Sequence, residues 1–209
     1  MVAPAYSAKS PERVNLQYRQ DSDSGKSQWA VYPGSGRLPE SIRIATVFHR
    51  DDPPTFSWDT QTAFVADAPH LELAPPTLTI LESSAADGKH HYRMLLRSER
   101  GAPDAMVFFP PESGLAAMRI QDQPMQPQPA RLRQFLKGWE VYDCPTMPAK
   151  GVELSFELPA GKPVEVYAFD RTYGLPLEGM FLLKSRQFTA TPSGQGDVTL
   201  VSRRVQLNP

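Results

Sequence analysis

Three places in this sequence gather residue types that can do chemistry. The first is Cys144, in "YDCPTM" between Asp143 and Pro145. A thiol becomes a nucleophile when a base or a positive field draws off its proton. No histidine neighbours Cys144, and no Gly-x-Ser-x-Gly elbow offers a serine instead. Cys144 therefore reads as a small, half-buried packing residue.

The second is metal chemistry around the four histidines, His49, His70, His90 and His91. His90 and His91 are adjacent on a predicted strand, so they point to opposite faces and cannot share one ion without a bulge. "HRDD" (His49 to Asp52) contains a His-x-Asp pair of the kind a dinuclear zinc site uses. Such a site needs about five ligands and a carboxylate base. The chain has no Glu-Glu pair and no histidine beyond His91, and two prolines follow at once, so "HRDDPPT" reads as an exposed turn. Walker and Gly-x-Gly-x-x-Gly phosphate cradles are also absent.

The third is "DRTYGLP", Asp170 to Pro176. Its residues fit a corner after a strand. Asp170 can bond nearby backbone N–H groups, and Arg171 can pair with a carboxylate across the loop. Tyr173 can bury its ring as in the tyrosine corners of sandwiches. Gly174 can take φ > 0, and Pro176 holds Leu175 extended. The functional alternative is a docking loop. A separate binding surface could be offered by Trp29, Trp139 and Tyr142, although tryptophan in a sandwich is more often core.

The elements that must position these residues are strands. The chain has 209 residues, 40% hydrophobic and 22% charged, enough for a core. Its 22 prolines break helices and central ladders, which favours short elements with many turns. Alternation predicts strands in "RVNLQYRQ", "QWAVY", "SIRIATVF", "TLTILES", "HHYRMLLRSE", "DAMVFFP", "GLAAMRIQ", "KGWEVYDCP", "GVELSFELP", "KPVEVYAFD" and "GDVTLVSRRVQL". Asp87-Gly88 marks a hairpin turn. Pro129 to Lys137 is the one helical candidate. The expected fold is all-β, a sandwich of antiparallel strands (immunoglobulin- or jelly-roll-like) with at most one or two short helices. Residues 1–10 read as disordered or linker, 11–70 as an N-terminal β segment and 71–209 as the main sandwich, the last two packing as one unit. The net charge is −1 with no basic run, so nucleic acid is not an expected partner. One cysteine allows no internal disulfide, and no apolar run is long enough to span a bilayer.

Three stretches, in order, resemble the C-terminal extracytoplasmic region of membrane-bound M28-family zinc peptidases. They are Asn15, Leu16, Tyr18, Asp21, Gly25 and Trp29; then Asp170 to Pro176; then Thr199 to Arg203. The resemblance covers nearly the whole chain; only the stretch after Pro176 is unmatched. In that family a zinc peptidase domain is followed by transmembrane helices and then a β-rich domain. The resemblance implies a non-catalytic accessory domain excised from a longer protein. It would assist stability, substrate access or docking, on the periplasmic or cell-surface side. Its partners would be the peptidase and transmembrane domains of the parent, or a protein or peptide. No family catalytic residue maps onto this chain, so no cofactor is expected here; zinc belongs to the peptidase domain. The other reading is a stand-alone glycan- or peptide-binding sandwich, soluble by itself.

Overall fold

Period-two burial sets most of the strands. In the computed structural model, which describes residues 6–194 and 196–208, the chain divides into two compact units. Unit 1 comprises the chain up to Asp21, Gly25–Leu71 and Thr172–Leu200; unit 2 comprises Ser22–Ser24, Glu72–Arg171 and the chain from Val201 on. The split at Leu71 lies where the prolines predict a crossing. Residues 172–200, expected in the main sandwich, belong instead with the N-terminal segment. Of the expected linker, Met1 to Ala5 lie outside the described residues, and Ser7 and Ser10 exchange backbone hydrogen bonds.

Unit 1 opens with β1 (Glu12–Asp21) and β2 (Ser27–Pro33), paired antiparallel from Val14↔Pro33 to Gln20↔Ser27. The helical turn α1 (Glu40–Arg43) and strands β3 (His49–Arg50) and β4 (Phe64–Asp67) follow. β2 pairs with β4, and β4 with β3. "SIRIATVF", expected as a strand, does not form one. Pro39 enters α1 in an extended conformation, and Glu40 pairs with Arg43 one turn on. Only Ile42 is buried; Ile44 and Val47 are 73% and 87% exposed, so no sheet face covers the alternation.

Unit 2 holds β5 (Thr77–Ala86), β6 (Lys89–Arg97), β7 (Asp104–Phe109), β8 (Ala116–Ile120), β9 (Gln123–Pro124), α2 (Ala130–Phe135), β10 (Glu140–Pro145), β11 (Val152–Pro159) and β12 (Val164–Tyr173), whose last two residues pass into unit 1. One layer runs β5-β6-β11-β8-β9, and the other contains β10-β7-β12. Their inner faces make one core: Met94 and Leu96 from β6 and Leu154 and Phe156 from β11 meet Val107 and Phe109 from β7 and Val166 and Ala168 from β12. This is an all-β antiparallel sandwich. Asp87 and Gly88 both have positive φ, at 52° and 73°, as the predicted two-residue hairpin turn requires. At the outer edge of its sheet, β5 is mostly exposed, and its register with β6 shifts between Ile80 and Glu82.

The chain returns to unit 1 through a 3-10 turn at Leu177–Gly179, α3 (Met180–Ser185) and β13 (Ala190–Thr191), which pairs parallel with β1. β14 (Val198–Leu207) closes the chain. There are thus three short α-helices and a 3-10 turn among the described residues, more than the one or two expected. Pro39, Pro129 and Pro176 sit at the N-caps of α1, α2 and the 3-10 turn. Proline ends a strand, and its fixed φ then suits the entry to a helical turn.

Trp29 is buried in unit 1, edge-on to Tyr18 at 5.2 Å and to Phe181 at 5.9 Å. Gly179 makes this possible: a Cβ there would stand 2.8 Å from the indole and 3.0 Å from Leu175 Cβ. Gly179→Ala is expected to cost about 1–3 kcal/mol by overpacking. Urea unfolding followed by tryptophan fluorescence checks this; an unchanged midpoint would mean that the Trp29 ring has room to shift.

Candidate functional site

Unit 2 contains a crevice of about 480 Å³. Its walls are the turn after β7 (Pro110, Pro111, Glu112, Ser113), Trp139 ahead of β10, the β11–β12 turn (Pro159, Ala160, Lys162, Pro163) and Val164, Glu165 and Tyr167 of β12. Strand alternation puts Tyr167 here. Val166 and Ala168 face the core, so Tyr167 faces the other way. Its ring meets the Trp139 indole edge-to-face at 5.8 Å and 68°.

Close glycine–proline contacts hold the walls. A Cβ on Gly114 would lie 2.5 Å from Pro159 Cγ, and one on Gly138 would lie 3.2 Å from Pro111 Cβ. Both glycines have positive φ, as do Glu112 (60°) and Lys137 (53°), which are not glycines. Left-handed non-glycine residues carry strain that surrounding structure must hold in place, and such residues concentrate at functional sites. Ser113 is buried, and its N–H donates to Pro110 O at 3.2 Å, closing the turn. The side chains of Glu112, Lys162 and Glu165 are exposed and make no ion pair or hydrogen bond with one another or with another described residue. Four of the lining residues are prolines, which present no backbone N–H. The crevice can stack a planar or apolar group and offer it charge at the rim.

Of the proposed surface residues, only Trp139 lines this crevice. Trp29 is core in unit 1. Tyr142 is core in unit 2, because it shares the inward face of β10 with Cys144 and packs on Phe109. "DRTYGLP" is not the expected corner: β12 continues through Tyr173. Asp170 makes no Asx turn. It is fully buried, with Arg100 Nε 2.8 Å from Oδ1 and the Ser98 hydroxyl on Oδ2. Burial pushes its carboxyl up, opposed by Arg100 and Ser98. Arg171 donates to Asp104 on the neighbouring strand at 2.7 Å rather than across a loop. Tyr173 is 61% exposed, which excludes a buried tyrosine corner. Gly174 has φ 87°, and its N–H donates to Asp197 O at 2.7 Å; Leu175 and the extended Pro176 lead into the 3-10 turn.

The remaining chemical candidates separate. Asp51 serves packing: it lies 3.4 Å from the buried Arg19 guanidinium and accepts from the Thr55 N–H. Asp59 lies 3.4 Å from the same guanidinium, which sits about 5 Å from the Tyr32 and Phe56 ring centres. His49 is exposed, His70 lies 3.2 Å from the Ser27 hydroxyl, His90 stacks on Tyr92, and His91 lies 3.4 Å from Glu157. No three His, Cys, Asp or Glu side chains gather to hold a metal among the described residues. No described helix is long and apolar enough to cross a membrane. Sequence reasoning missed Tyr167, Glu112, Lys162 and Glu165. The available signals were Pro110-Pro111 beside "PAGKP" and the outward register of Tyr167.

No family model matches the chain, and no curated protein matches it. Among solved structures it is similar to the Fcho1 Mu homology domain of Danio rerio with bound Eps15 peptide. The identity is 11%, the TM-score is 0.34, and the match covers 91% of this chain and 92% of that one. An overlap that loose carries no argument about this chain.

Two outcomes follow from the geometry. Gly114→Ala is expected to cost about 1–3 kcal/mol, from strained φ plus the clash with Pro159; denaturant titration reads it, and a neutral result would mean that the turn can move off Pro159. Burial also pushes the Cys144 thiol from 9.0 up to about 11, with Asp143 adding to it, and the Tyr142 phenol from 10.0 up to about 12, with Glu140 adding to it. Both folded values are raised, so the stability from these protonated groups is intact below 9.0 and is lost as pH climbs through about 11 and 12. Unfolding midpoints measured across that range should fall, and less steeply in Cys144→Ala.

Proposed function

We propose that this chain is a non-catalytic interaction module, an accessory domain of a membrane-anchored M28-family metallopeptidase on the extracytoplasmic side. Its crevice at Trp139 takes a protein or peptide segment. The observation that carries this reading is the crevice itself: an aromatic wall, prolines that fix its shape, and three charged side chains with no partner among the described residues. A rigid, partly apolar recess with a few polar groups is the usual form of a recognition site.

The parent rests on the resemblance of the three stretches, parts of which lie in unit 1. Trp29 of the first lies against Gly179, three residues beyond the second. Thr199 of the third donates its hydroxyl proton to Gly174 O of the second at 2.9 Å. Asn15 accepts from the Ser193 N–H at 2.8 Å, and the Leu16 N–H donates to Asp197 at 2.9 Å. The Thr199–Gly174 bond thus joins two of the stretches directly, and residues 179, 193 and 197 lie against the first. A stand-alone glycan- or peptide-binding module is the second reading, favoured by the half-buried Trp139.

An array of extended peptides beside an array of glycans, both probed with the whole chain, tests binding. Peptide signals lost in Trp139→Ala are expected; glycan signals alone would overturn the peptide reading. In parallel, an aminopeptidase assay with and without zinc should give no turnover. Zinc-dependent turnover would overturn the accessory role.

A further inference from the structure

We infer that the Trp139 crevice recognises an arginine side chain in an extended peptide; this rests on the reading of the crevice as the binding site. The charge comes first. Two carboxylates, Glu112 and Glu165, stand against one ammonium, Lys162, and none of the three has an ion pair or side-chain hydrogen bond among the described residues. A neutral sugar entering here would partly desolvate these charges and return no counter-charge. A cation supplies one.

The shape selects among cations. The Trp139 indole and the Tyr167 ring form an aromatic corner. A planar guanidinium stacks on such rings and still donates sideways from its five N–H groups, whereas a lysine ammonium is a compact, strongly hydrated point charge. The prolines in the wall offer no backbone N–H. That suits a group that only donates, because each of these prolines still offers a carbonyl acceptor. Lys162, on the β11–β12 turn, is left to meet a carbonyl of the same peptide. The rigid walls mean little ordering on binding, so one side chain can suffice for weak, selective capture.

The probe is acetyl-Gly-Arg-Gly-amide, titrated into the whole chain while the indole N–H signals of the three tryptophans are followed by NMR. A single anchored side chain should bind in roughly the millimolar range. The Trp139 signal should move and saturate, the buried Trp29 signal should stay, and added salt should weaken the effect. The citrulline analogue has the same shape without the charge, so it should leave Trp139 unmoved. Glu112→Gln with Glu165→Gln should weaken binding about tenfold or more, as loss of charge-assisted bonds would. Retained amide signals of β7 and β12 in that variant verify the fold of unit 2. A Trp139 signal that ignores the arginine peptide, or answers citrulline equally, overturns the proposal, as does full affinity in the double variant. If other peptides shift Trp139 while this one does not, the arginine assignment fails and the interaction module stands. If no peptide shifts it, both fail.

Discussion

Two opposite charges stand side by side in one strand, and the layout of unit 2 depends on where they land. Asp170 pairs across the ladder with Ala105, and Arg171 with Asp104. Side chains alternate, so the two charges leave opposite faces of the sheet, each to its own partner: Asp170 to Arg100 and Ser98, Arg171 to Asp104. A slip of one residue would set Asp170 opposite Asp104 and bury unmatched charge, which costs several kcal/mol per ion. The same slip would turn Tyr167 and Glu165 from the crevice into the core. The pair of charges therefore sets the register of β12, and that register builds one wall of the crevice.

Unit 1 uses the same device in another form. Arg19 is buried, which draws its guanidinium below its ordinary pKa, while Asp59 and Asp51 oppose this. The ion is held by two carboxylates and two aromatic rings together. Asp59 also accepts from the Tyr32 hydroxyl, and Asp51 from Thr55, so the loop following β3 is folded around one cation. That gives Asp51 of "HRDD" a packing role.

Strands with one core face and one polar face were legible. β11 buries Val152, Leu154, Phe156 and Leu158, as its alternation dictates. Alternation misleads where nothing covers the face, as in "SIRIATVF", and it does not report where a strand ends. Asp170 and Arg171 look like loop residues because strands seldom bury charges; their partners, Arg100 and Asp104, lie about seventy residues away and are invisible to a local pattern. The crevice was half legible. Trp139 stood out by type, but Trp29 and Tyr142 did too, and only tertiary packing tells core from surface. Glu112, Lys162 and Glu165 carry no local signal, because their significance lies in having no partner among the described residues.

The outer strand β5 presents ten residues with one neighbour strand and open ladder groups on its other side. Such a border invites a second copy to add its own strand, then a third, in an open-ended stack. The register shift at Ile80 to Glu82 breaks that template midway: a bulge bends and twists the ribbon, so an incoming straight strand can match only part of it. Glu82, paired with Arg93, adds charge beside the break. The irregularity that looks like a defect in the ladder thus shortens the straight border that a second copy could join.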